Sequence, residues 1–115
     1  MALRALRNER TGAALATSVA SATNPWSRGV GLLGRAAVAP DEGLWIGGCG
    51  AVHTMFMRAT IDLIFLDRSG LVVRFVPAVP PGRLSVSAPG AVTVVELGAA
   101  AQARDIRPGD RLVLA

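Results

Sequence analysis

A chain of 115 residues, 51% hydrophobic and 17% charged, has room for one domain spanning 1–115 with a modest core, and is too apolar for disorder. Its formal charge of +4 comes from twelve arginines and no lysine, and no apolar run reaches the ~18–20 residues needed to cross a bilayer. The arginines are scattered, tyrosine is absent, and Trp26, Trp45, Phe56, Phe65 and Phe75 are not interleaved with them, so nucleic acid is disfavoured as a partner.

In chain order, Leu3 to Arg7 reads as a short strand and Asn8 to Gly12 as a turn. Ala13 to Ala20 returns as a second strand. Arg4, Arg7 and Arg10 followed by an Ala-rich stretch ending Ala20-Ser21-Ala22 imitate a secretory signal. However, Leu15 and Val19 are the sole large apolar residues there, so a folded strand and a cytoplasmic location are expected. The single cysteine, Cys49, allows no internal disulfide and fits a reducing compartment. Asn24 can cap a helix that begins at Pro25, carries Trp26, Val30 and Leu33 on one side, and ends near Gly34.

Pro40 to Gly43 is a turn, Leu44 to Ile46 a short strand, and Gly47 to Gly50 a backbone-exposed loop. Val52 to Arg58 and Ile61 to Asp67 read as extended and apolar. Asp67-Arg68-Ser69-Gly70 has Asp first and Gly fourth, the pattern of a type I turn. Leu71 to Val76 then returns antiparallel to Ile61–Asp67, with Leu71, Val73 and Phe75 on one face and Arg74 on the other. Pro77 to Pro81 predicts an irregular loop, since proline cannot donate to a ladder. Ala91 to Leu97 is a strand, Ala99 to Arg104 a short helical turn, and Arg111 to Leu114 a final strand after the Pro108-Gly109-Asp110 turn. The fold class expected is mainly β: a small jelly-roll-like β-sandwich or barrel with one or two short helices.

Six stretches then stand out in order: Gly31 to Arg35, Glu42 to Ile46, His53 to Arg58, Ile61 to Asp67, Val95-Glu96-Leu97 and Gly109-Asp110-Arg111. As an ordered set they resemble a family of small bacterial and archaeal proteins, domain of unknown function 192. The resemblance covers about residue 13 to the C-terminus. It implies a compact all-β, jelly-roll-like domain and no established reaction. The family often shows Phe or Asn, then Pro or Thr, where this chain has Ala59-Thr60. That departure bears on a pocket wall and leaves ligand specificity open.

Cys49, His53 and Met57 lie four apart, and sulfur with imidazole is a ligand set for copper(I). On a strand, though, Cys49 and His53 would sit about 13 Å apart, and no metal site or cofactor is expected. The same Cys49 and His53 are the candidate nucleophile and base of a small hydrolase-like enzyme. Asp62 shares a face with Ile64 and Leu66, and Glu96 with Val92 and Val94. An acid on an apolar face must be paired, hydrogen-bonded or protonated. The structural reading is favoured, with backbone N–H groups or an arginine such as Arg35 or Arg58 as partner, and with Asp110 as a turn former. The function expected is a non-enzymatic module binding a small molecule or a protein. Its ligand contacts would come from residues 45 to 58 (Trp45, Cys49, His53, Met57 and Arg58), with Arg35 and Asp62 reached through the fold. A purely structural accessory domain is the third reading.

Overall fold

The computed structural model describes residues 3–22, 35–55 and 57–115. Among them are nine strands and no helix: β1 (Leu3–Asn8), β2 (Ala14–Ala22), β3 (Glu42–Gly47), β4 (Ala51–Val52), β5 (Ile61–Leu66), β6 (Val72–Val79), β7 (Val86–Ser87), β8 (Thr93–Gly98) and β9 (Leu112–Leu114). The helix expected over 24–34, with Trp26, Val30 and Leu33, lies outside the described residues, as does Phe56. The helical turn expected over 99–104 does not form. That stretch stays irregular because Arg104 turns inward to bond the carbonyl oxygens of Gly98 and Pro40.

Seven strands make one sheet in the order β6-β5-β8-β3-β2-β1-β9, and β4 pairs β7 in a small second sheet. The large sheet is mixed, because β2 and β3 run parallel from Ser18–Glu42 to Ala22–Ile46. It coils until its edges touch. Leu71 bridges Arg111, and Val72 N–H donates to Asp110 O at 2.8 Å. The contact is one bridge and not a ladder, so the sheet is not closed.

Coiling gives the sheet an inner and an outer face, both buried, which is why β5 and β8 are buried at every position. Leu6, Val19, Ile64, Leu66, Val95, Leu97 and Leu112 meet on the inner face. Ile61, Leu63, Phe65, Val79 and Val94 lie on the outer face, under Met57, Val86 and Ala88. Each large side chain taken from water here contributes about 1.5–3 kcal/mol. The outer cover is a cap made of two excursions, 48–60 and 80–92, joined through β4 and β7.

Three local expectations fail for identifiable reasons. The strand expected over Val52–Arg58 ends at Val52, because Thr54 is tied to the other excursion. Its N–H donates to Arg83 O, its carbonyl accepts from Gly82 N–H, and its hydroxyl donates to Pro80 O at 2.8 Å. The alternation expected in Leu71–Val76 is broken by an extra residue at Val73, since Phe65 pairs Arg74 and Leu66 pairs Val72. Val72 and Phe75 therefore face the inner core, while Val73 and Val76 face the outer one. Finally, Pro77 lies within β6 rather than ending it. An edge strand tolerates a missing donor, and a second bulge falls at Pro77-Ala78.

Ala78 sits in that bulge at φ 52°, a region that costs an L-residue roughly 1–2 kcal/mol and glycine little. Ala78→Gly is expected to raise stability by about 1 kcal/mol, read as a higher urea midpoint at unchanged slope. A midpoint that falls would show the bulge to be unstrained.

Candidate functional site

The two acids of the central strands face opposite ways. Asp62 pairs Leu97 across β5–β8 and shares the inner face with Ile64 and Leu66. Its Oδ1 accepts the Ala78 N–H at 2.8 Å, and its Oδ2 meets Arg104 Nη1. Both side chains of the pair are 5% exposed. Arg104 also donates to Gly98 O at 2.9 Å and to Pro40 O. One buried guanidinium thus joins β5, the end of β8 and the turn before β3. The sequence points to backbone N–H groups or an arginine such as Arg35 or Arg58 for this role, and the partners found are the Ala78 N–H and Arg104. Arg35 instead grips both Glu42 oxygens at 2.9 Å, and Arg58 is exposed on the cap. The Ala39 N–H, followed by Arg35, holds the Glu42 carboxyl below its ordinary value.

Glu96 is opposite in both respects. It pairs Leu63 on one side and Leu44 on the other, on the outer face, and is 7% exposed. Neither the backbone N–H nor the arginine expected for it is present: among the described residues it makes no hydrogen bond and no ion pair. Burial without compensation pushes its carboxyl up to about 7. Next along β8, the backbone of Val38 and Ala39 crosses at Gly98, where any side chain would collide with their carbonyl oxygens. In the other direction, Cys49 packs against both outer clusters, the one holding Leu63 and the one holding Leu44.

The 45–58 segment is divided by the sheet. Trp45 pairs Val95 and packs on the inner core, so it and Asp62 lie on the face away from Cys49 and Met57. Met57 is buried in the cap beneath Val86 and Ala88. Cys49 is half-buried, and its thiol donates to Ala51 O at 2.9 Å, not to an imidazole. His53 is exposed on the cap. Among the described residues, no group of three or more His, Cys, Asp or Glu is placed to hold a metal.

Asp110 is bound by its own turn and by the distant β1–β2 turn. It accepts from Arg10 Nε at 2.7 Å, Asn8 Nδ2 at 2.9 Å and the Arg107 N–H at 2.9 Å. Arg10 above all holds its carboxyl well below the ordinary carboxylate range. This network pins the β1–β2 turn to the approach to β9.

Sequence reasoning missed Arg104 and Thr54. The signal for Arg104 was a lone arginine closing the Ala-rich run 99–103. Thr54 gave none, since its partners lie 26 to 29 residues away.

The chain also has relatives of the same shape. The model of the family DUF192, described as "Uncharacterized ACR", matches residues 6–114. No curated protein matches the chain. The fold is similar to the crystal structure of a candidate transcription regulator from Sinorhizobium meliloti 1021, with TM-score 0.82 and 26% identity over 98% of this chain and 94% of that one. It is also similar to that of a protein of unknown function from Novosphingobium aromaticivorans DSM 12444, with TM-score 0.73 and 20% identity over 84% of this chain and 74% of that one. No helix is long and apolar enough to cross a membrane among the described residues.

Proposed function

The chain belongs to the uncharacterised family DUF192, and from that premise we propose that it is a non-enzymatic binding module whose ligand engages the outer face of the sheet, at Glu96. The observation that supports this is a carboxyl that is 7% exposed, set between Leu44 and Leu63, with no hydrogen bond among the described residues. Leaving such a group unsatisfied costs about 1–3 kcal/mol or more. Asp62, the chain neighbour of Leu63 on β5, is by contrast fully partnered. An unused acceptor in an apolar setting suits a ligand with an apolar body and a hydrogen-bond donor. Absence of a contact between the Cys49 thiol and the His53 imidazole favours binding over hydrolysis, since a nucleophile needs its base within hydrogen-bond reach. The similar Sinorhizobium protein is described as a candidate transcription regulator, which agrees with a binding role. For the frame we infer a barrel-like coil around the inner core, held at its seam by Leu71 and Arg111.

Amide-shift mapping by NMR with butylamine, butyramide and butanoate as probes tests the reading. At about pH 8, where the Glu96 carboxyl is ionised and can only accept, the two donor probes should shift Leu44, Cys49, Leu63 and Glu96, and the acceptor-only butanoate should not. Shifts confined to other surfaces, or shifts at Glu96 that persist in Glu96→Met, would refute it.

A further inference from the structure

The chain's eight carboxylates are unevenly placed. None occurs between Gly43 and Ile61 or between Arg68 and Val95. The fold brings these two acid-free stretches together, because they supply both halves of the cap: Ala51 pairs Ser87, Val52 pairs Val86, and Thr54 is bonded to Gly82 and Arg83. The cap's outward side carries exposed His53, Arg83, Ser85 and Ser87. Arg74 reaches up from β6 to donate to Ser87 O at 2.7 Å. Among the described residues, neither Arg74 nor Arg83 has a carboxylate within ion-pair distance. Beside Arg83 stands Leu84, 81% exposed, the most exposed large apolar side chain of the described residues.

From this juxtaposition we infer that the cap surface docks an acidic protein segment bearing one apolar side chain. Charge complementarity selects the partner. A surface with arginines and no acid attracts anions and repels basic partners, and a lone exposed leucine offers apolar area that a partner's apolar side chain would take out of water. Arg58, Arg74, Arg83 and His53 are few for a phosphate backbone, which is recognised by a track of many cations. The inference is independent of Glu96, which is buried on the outer face of β8.

The probe is a pool of short acidic peptides, each with one Leu or Phe, titrated into the full chain and followed by NMR at residues 51–54 and 83–87. Shifts there should saturate at low salt and weaken on moving to physiological salt. Arg83→Glu should reduce affinity by about tenfold and Leu84→Ser by several-fold. Both sites are exposed, so the variants should retain the wild-type spectrum elsewhere. Silence of the cap with the acidic pool, equal binding of a basic pool, or tighter binding of a single-stranded oligonucleotide or of phosphatidylserine vesicles would each overturn the inference.

Discussion

Replacing Asp62 with Ala is expected to lower the unfolding free energy by about 3–5 kcal/mol, the range for breaking a buried ion pair by removal of one partner. Two groups lose their acceptor at once. Arg104, 5% exposed, is left as an uncompensated buried charge, and the Ala78 N–H loses its 2.8 Å bond in the β6 bulge. Against a total stability of about 5–15 kcal/mol for a domain of this size, such a loss is a large share. Arg104→Met should cost a similar amount, because it strands the Asp62 charge and frees two backbone carbonyls. The double variant Asp62→Leu with Arg104→Met should recover part of the loss, since well-packed apolar replacements of a buried pair are often tolerated. Urea unfolding of the native protein, Asp62→Leu, Arg104→Met and the double variant closes the cycle and gives the coupling energy directly. A single-variant loss under about 1 kcal/mol would mean that water replaces the missing partner.

Parity alone put Asp62 on an apolar face and demanded a partner. It could not choose among twelve arginines, because the choice is made by tertiary structure 42 residues downstream. The Ile61–Leu66 strand and its hairpin were legible because a Gly-terminated turn and two apolar runs are local signals. The parallel pairing of β2 with β3, the bulges at Val73 and Pro77-Ala78, and the end of the strand at Val52 were not. Each depends on what lies across the sheet, and a one-residue bulge reverses every later side chain. The division of residues 45–58 follows from the same cause. Trp45 belongs to a strand that presents it inward, whereas Cys49 and Met57 follow a glycine-rich break that carries the chain over the outer face.

Glu96 should make the protein less stable as pH rises through the neutral range. Its carboxyl has an ordinary value of 4.5 and is raised by burial to about 7 in the folded chain. Between those values the unfolded chain has released the proton and the folded chain still holds it. The unfolded state binds fewer protons, so the stability slope with pH is negative. The contribution is fully present below about pH 4.5, is lost as pH rises to about 7, and is absent above. The total amounts to roughly 3 kcal/mol. On the outer face the other titratable group packed against the same clusters is the Cys49 thiol, while Asp62 and Arg104 lie across the sheet. Asp110 acts in the opposite sense, its stabilisation fading as pH falls below the ordinary aspartate value of 3.8, and so leaves the neutral window to Glu96. Glu96→Gln removes the proton but leaves a buried amide without partners. It should therefore match or trail the native protein at about pH 5 and exceed it at about pH 8, with a nearly flat profile between. Chemical denaturation at half-unit steps of pH measures both curves, and a 13C carboxyl titration of native Glu96 reads the midpoint even if the variant folds poorly. Parallel curves, or a midpoint near the ordinary 4.5, would show that Glu96 has a donor or water beside it, and the vacant acceptor on which a ligand would act would not exist.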